Sequence, residues 1–219
     1  GVDSIHFTPD RRSDAVRLEM LERSGIPEEA VILLYAGRLS PEKNIGLLVD
    51  LMKVLAGDPD QDYRLLVAGA GPQADWLKNQ GLNHASCKII QLGHLDKEVL
   101  ANYYANADVF VHPNPREPFG IAPLEAMASG VPTVAPNAGG ILSYATNENA
   151  WLVEPSGDQF AAAIRDVVEN ETLRNTKTAR ALETARANTR EVSTDRLFET
   201  YDRIYEEFQT KKELFNADE

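Results

Sequence analysis

The sequence predicts a doubly wound α/β domain, a parallel sheet with helices on both faces, and two patterns carry that prediction. Short apolar, β-branched runs recur at Val31–Ala36, Tyr63–Ala68, Cys87–Leu92, Asp108–Val111, Val131–Ala135 and Trp151–Val153. Nearly all are continuous rather than alternating, the texture of strands covered on both faces. Between them lie stretches with apolar residues at helical spacing, such as Ile45, Leu48, Leu51, Met52 and Leu55, or Leu95, Val99, Leu100, Tyr103 and Tyr104. Strands alternating with such stretches are joined by crossover helices.

Each remaining element follows from its local pattern. Ser156-Gly157-Asp158-Gln159 is a capping box that opens a helix with Phe160, Ile164, Val167 and Val168 on one face. A last helix over 193–215 carries Leu197, Phe198, Tyr201, Ile204, Tyr205 and Phe208, an apolar stripe that packs either on this sheet or on a further domain. With 219 residues the chain forms one domain, 1–219. Gly1-Val2-Asp3, with no initiator Met, leads into a polar, Pro-containing segment. A fragment is expected to start this way, with 1–12 left over from an interdomain linker.

Composition excludes several functions. A net charge of −12, from 34 acidic and 22 basic residues, and the lack of a basic stripe argue against a nucleic-acid partner. No run approaches the roughly 18 apolar residues of a transmembrane helix. The single cysteine, Cys87, cannot form an internal disulfide or a cysteine-rich metal site, which suits a reduced, cytoplasmic compartment.

In an open parallel sheet, ligands bind beyond the carboxyl ends of the strands, so the segments after each run hold the candidate site. After the first run comes Gly37-Arg38-Leu39-Ser40-Pro41-Glu42-Lys43-Asn44. Here Gly37 permits close backbone approach, and Arg38 and Lys43 are either a clamp for a diphosphate or ordinary surface cations. After the fourth run, Gly120 stands where a helix begins, and unpaired N–H groups at a helix start suit a phosphate or a sugar hydroxyl. Glu117 precedes that helix and Glu125 lies in its first turns. The two carboxylates can accept hydrogen bonds from two polyols of one ligand, although an acid in a first turn is also favoured by the helix dipole alone.

These segments resemble a known family. Glu117-Pro-Phe-Gly-x-x-x-Leu-Glu125-Ala-Met-Ala-Ser-Gly-Val-Pro-Thr-Val-Ala is similar to the signature of the retaining GT-B glycosyltransferases related to glycogen and sucrose synthases, the glycosyl transferases group 1, or family 4, type. Residues 37–44, Leu-Val-Ala-Gly-Ala-Gly-Pro at 66–72 and Pro-Asn-Ala-Gly-Gly at 136–140 resemble that family in the same order. The resemblance implies a Rossmann-like fold, the donor-binding C-terminal half of a two-domain GT-B enzyme whose N-terminal half binds the acceptor. It implies a nucleoside-diphosphate sugar as substrate, linked to UDP, GDP or ADP, with no cofactor and no metal. Arg38 and Lys43 would hold the diphosphate, and Glu125 would accept from the ribose. Glu117 would bond the donor sugar, near backbone groups of Phe119, Gly120 and Ile121. Gly93 and His94 would border the base, and Gly139 and Gly140 would let backbone approach the phosphates. The stretch after Gly140, Ile141–Asn149, departs from the acidic, Gly-rich turn common in the family.

Competing signals are weaker. Gly69-Ala70-Gly71-Pro72-Gln73-Ala74 is a loose dinucleotide fingerprint, yet Ile89-Ile90-Gln91-Leu92 lacks the ribose-binding acid expected about 20 residues on. Asp58-Pro59-Asp60 mimics a metal-binding Asp-x-Asp but falls at the sheet edge remote from ligands, as a solvated turn. His94 and His112 fall at strand ends on the ligand side, His6 and His84 do not, and none has a partner at metal-ligand spacing. The leading expectation is retaining glycosyl transfer, with a fragment that turns over little by itself. The alternatives are half of a nucleotide-sugar epimerase or hydrolase, and a non-catalytic nucleotide-sugar-binding module.

Overall fold

In a computed structural model of the chain, residues 1–83 and 88–215 are described; His84 and Cys87 lie outside the described residues. Six strands form one parallel sheet: β1 (Val31–Ala36), β2 (Tyr63–Ala68), β3 (Ile89–Gly93), β4 (Val109–Val111), β5 (Thr133–Pro136) and β6 (Trp151–Val153). Their order is β3-β2-β1-β4-β5-β6, the doubly wound arrangement. The helices are α1 (Asp14–Ser24), α2 (Gly46–Leu55), α3 (Ala74–Asn83), α4 (Lys97–Asn106), α5 (Ile121–Ala128), α6 (Gly157–Glu169), α7 (Glu171–Arg186) and α8 (Arg190–Phe215).

Every expected run overlaps a strand, although β3 runs on to Gly93 and β5 to Pro136, and two shifted starts have local causes. Pro132 has no N–H to donate, and the Val131 N–H is spent on the Ala126 carbonyl, so β5 starts at Thr133. Asp108 precedes β4 because its carboxylate caps the edge, accepting from the Ile32 N–H at 2.7 Å and pairing with Arg17 at 2.9 Å.

Alternation along the strands divides the core in two. Ile32, Leu34, Leu66 and Phe110 face α1, α4, α5 and α7. Leu33, Leu65, Val67, Val109 and Val111 face α2 and α6, whose Leu48, Leu51, Met52, Phe160 and Ile164 are buried. Ser156 caps α6 by accepting from the Gln159 N–H at 3.3 Å, as its sequence predicts.

The first residues are tied to the domain. Val2 bridges to Thr189 in parallel fashion, and Phe7 packs edge-on against Tyr104 with ring centroids 5.3 Å apart. The apolar stripe of α8 does not pack on this sheet: Phe198 is 61% exposed and Tyr205 64%.

The loops at the carboxyl end interlock through backbone. Gly37 donates to Ala68, Leu39 to Ala70 and Gln73 to Leu39, at 2.9, 3.0 and 2.9 Å. A Cβ on Gly69 would stand 1.8 Å from the Gly37 carbonyl oxygen. Gly69→Ala should therefore destabilise the fold by about 3 kcal/mol, because backbone must move to make room. Gly46→Ala, at a helical position where an added Cβ meets nothing within 4 Å, should stabilise it by about 0.5 kcal/mol. Urea midpoints of the two variants moving in the same direction would contradict this account.

Candidate functional site

The sheet order places the site. β1 and β4 are neighbours, yet the chain leaves β1 toward α2 on one face and β4 toward α5 on the other. Loops that diverge in this way leave a crevice at the carboxyl ends of the two strands. One wall is 37–44, where a 3-10 turn (Pro41–Lys43) ends at Asn44 in the left-handed conformation, φ 55°. The Asn44 side-chain amide donates to the Pro113 carbonyl at 3.0 Å and fastens this loop to the one after β4. Residues 112–120, ending at the N-cap of α5, form the other wall.

Between the walls lies an open cavity of about 370 Å³ lined by Gly37, Arg38, Lys43, Glu117, Gly120, Ile121 and Glu125. A second cavity shares Gly37, Arg38 and Leu100 with it and extends past Gly69 to His94 and Leu95. Gly93, Phe119, Gly139 and Gly140 lie outside both linings. The two glycines make a close approach to protein backbone: a Cβ on Gly140 would stand 1.8 Å from the Pro118 carbonyl oxygen, and the Gly140 N–H donates to Glu117 O at 2.7 Å. Phe119 packs on Tyr144 at 5.1 Å between centroids, and the Tyr144 hydroxyl donates to the Gly120 carbonyl. The segment that departs from the family pattern thus buttresses the loop that carries Glu117.

The charges within the cavity are arranged unequally. Lys43 Nζ lies 2.6 Å from Glu117 Oε2, which also accepts from Asn114 Nδ2 at 2.9 Å. Burial pushes the Glu117 carboxyl up, but these two hydrogen bonds and the lysine charge outweigh it, holding Glu117 below the usual carboxylate range and ionised. Elsewhere in the lining, Glu125 Oε2 lies 3.2 Å from the buried Tyr104 hydroxyl. Burial there drives the Glu125 carboxyl up to about 7, although Tyr104, Lys97 and Arg190 all pull it down. One carboxylate is held charged by a neighbouring cation, and the other is poised to titrate near neutrality.

Three lining residues, Tyr35, Tyr104 and Asn114, escaped the sequence reading, and His112, placed there on the ligand side, was weighed only as a metal ligand. Tyr35, Tyr104, His112 and Asn114 all face the cavity. Tyr104 sits in an apolar helical stripe and gave no sign of a polar role. His112 and Asn114 are polar residues directly following a buried strand, and that signal was available. Among the described residues no group of three or more His, Cys, Asp or Glu could hold a metal ion.

Residues 16–185 match the protein family described as glycosyl transferases group 1. The chain belongs to that family. One relative is the D-inositol 3-phosphate glycosyltransferase of Geodermatophilus obscurus, 36% identical over 185 residues, covering 79% of this chain and 40% of that protein. Among solved structures, the C-terminal domain of a glycosyl transferase group 1 family protein from Francisella tularensis superposes with a TM-score of 0.71 at 25% identity, over 86% of this chain and 98% of that one. The Anabaena protein HepE in complex with UDP-glucose superposes with a TM-score of 0.78 at 24% identity, over 93% of this chain and 56% of that one, which shows a shared fold. This glycosyl transferases group 1 chain spans about two fifths of the length of the curated relatives it matches. No helix among its described residues is long and apolar enough to cross a membrane.

The Glu125 carboxyl has a folded value above its ordinary 4.5, so its contribution to stability is fully present below about 4.5 and is lost as pH rises through about 7. Glu125→Gln, which cannot ionise, should gain stability over the wild type as pH rises, by up to about 3 kcal/mol at pH 8. Denaturation midpoints that keep a constant separation from pH 5 to pH 8 would show that Glu125 is not buried as described.

Proposed function

We propose that this chain is the C-terminal, donor-binding half of a two-domain, retaining GT-B glycosyltransferase that acts in the cytoplasm on a nucleoside-diphosphate sugar. The observation that carries the proposal is one cavity at the topological switch point lined both by a cation–carboxylate pair, Lys43 and Glu117, and by the semi-buried Glu125. Two carboxylates and two cations in one cavity suit a ligand that carries a ribose, a sugar and a diphosphate. HepE bound to UDP-glucose, a protein of the same fold, is in keeping with such a ligand.

Chemistry follows from where charge develops. When the bond between the anomeric carbon and the diphosphate breaks, negative charge builds on the departing oxygen. Arg38 and Lys43 lie beside the space it would occupy, and the free N–H groups at the start of α5 add a positive dipole end. These groups are already in place, so little reorganisation is needed as the charge forms. Glu117 both holds Lys43 and offers its carboxylate to sugar hydroxyls, a positioning and electrostatic task. The second oxygen of Glu125 accepts from ribose hydroxyls, and that contact favours the ionised form. Tyr104 fixes the orientation of that carboxylate.

Calorimetry with UDP, GDP and ADP tests the site. One of the three should bind in the millimolar range or tighter, and Lys43→Ala combined with Glu125→Ala should weaken it at least ~10-fold, since each change removes a charge-assisted hydrogen bond. Equal binding to wild type and double variant would remove the basis of the assignment. Transfer itself belongs to the longer protein. There, Lys43→Ala should lower kcat more than it raises KM, because charge on the leaving group is greatest in the transition state.

A further inference from the structure

The loop that carries Glu117 into the cavity ends in a glycine whose conformation no side chain of its own can restrict. Gly120 is the N-cap of α5 in the left-handed region, with φ 87° and ψ 76°, and it makes no side-chain capping hydrogen bond. The leading N–H groups of α5 therefore have no partner within the helix and no cap to occupy them. Gly120, Ile121 and Ala122 line the cavity that holds Lys43, Glu117 and Glu125. A glycine at this junction leaves the direction of those N–H groups to be fixed from outside.

Tyr144 supplies that restraint. Its hydroxyl donates to the Gly120 carbonyl, its ring packs on Phe119 with centroids 5.1 Å apart, and a Cβ on Gly120 would stand 3.1 Å from its oxygen. Tyr144 is itself pinned at both backbone groups: its N–H donates to the Ile141 carbonyl at 3.1 Å, and its carbonyl accepts from Asn149 Nδ2 at 3.0 Å. The same Asn149 amide reaches Thr184 Oγ1 on α7 at 2.8 Å, so a chain of hydrogen bonds runs from α7 to the start of α5. Burial, and then the Glu117 carboxylate, push the Tyr144 hydroxyl above its ordinary range, so the proton stays in place for donation. The peptide unit is planar, which puts the Gly120 C=O and the Ile121 N–H in one rigid plane. Whatever holds the carbonyl sets the direction of the N–H. A hydrogen bond at the carbonyl also polarises the unit and strengthens the N–H as a donor.

We propose that Tyr144 is a positioning residue of the donor site, one that holds the Gly120–Ile121 peptide so that the Ile121 N–H donates to an oxygen of the bound sugar nucleotide. The proposal rests on the donor-binding function above and adds to it the group that aims one of its donors. Tyr144 is 8% exposed and lies outside the cavity lining, so it acts through the peptide rather than on the ligand. It stands in the stretch after Gly140 that departs from the family pattern, where the resemblance assigns no role.

The test uses the full-length protein with UDP-glucose, GDP-mannose and ADP-glucose. Labelling with 1-¹³C-glycine and ¹⁵N-isoleucine selects the Gly–Ile peptides, of which this chain has three, at 25–26, 120–121 and 140–141, and Ile121→Val assigns the middle one by removing its signal. In the wild type, the Ile121 amide should shift on addition of the sugar nucleotide that binds, while that of Ile26, outside both cavity linings, stays in place. Tyr144→Phe keeps the ring on Phe119 and loses the hydroxyl. It should move the Ile121 amide in the free protein and weaken the sugar nucleotide ~5-fold by calorimetry, as loss of one neutral hydrogen bond does. A Phe variant that loses thermal stability with its Ile121 amide and its affinity unchanged would show a merely structural role and overturn the proposal. So would a wild-type Ile121 amide indifferent to the sugar nucleotide that binds, a measurement that stands even if the Phe variant does not fold. Both outcomes spare the donor site. A wild type that binds none of the three sugar nucleotides would instead overturn the donor-binding function itself, and this proposal with it.

Discussion

The structure depends on one constraint: the parallel strands β1 and β4 are side by side but send their chains to opposite faces of the sheet. Two crossovers that part in this way cannot close the space above the strand ends, and the resulting crevice holds all the chemistry described above. Its walls are short and are held mainly by backbone. The loop after β1 is hydrogen-bonded to the loop after β2 at Leu39, and the loop after β4 is hydrogen-bonded to the segment after β5 at Gly140. The glycines with the least room, Gly69 and Gly140, occupy these two junctions. Close packing of loop backbone gives the carboxyl edge of the sheet a fixed shape, as preorganised electrostatics require.

The crevice is also where this acidic protein places its charges with most effect. A partly buried carboxylate costs free energy unless it is paired or protonated. Glu117 takes the first course and Glu125 the second, a few residues apart in sequence but in different surroundings. Lys43 is paired with Glu117, so any anion drawn to that ammonium competes with a carboxylate.

Much of the fold was legible because a parallel sheet buried on both faces leaves a strong mark. Runs such as Val31–Ala36 and Tyr63–Ala68 are continuous and apolar, and the structure begins and ends strands at the same residues. The shifted strand β5 depended on Pro132 and on a helix-closing hydrogen bond from Val131, a competition that a run of apolar residues does not display. In the site, Arg38, Lys43, Glu117 and Glu125 stood out through residue type and ordered motifs, and one cavity gathers them. Tyr104 did not stand out, because its ring belongs to the core and only its hydroxyl reaches Glu125. Gly69 and Gly71 looked like part of a cofactor fingerprint, whereas their contacts are with Gly37 and Leu39 of the neighbouring loop.

By itself the sequence determined the succession of strands and helices along the chain, the burial of the sheet on both faces and the identity of the charged residues beyond the strand ends. Those properties rest on local periodicity and on motifs, which short stretches of chain carry complete. The tertiary structure decided which of those residues share a cavity, that Lys43 is paired with Glu117, and that Glu125 titrates near neutrality. Each of these depends on distances and desolvation between segments dozens of residues apart, and only the closed packing of β1, β4 and α5 sets them.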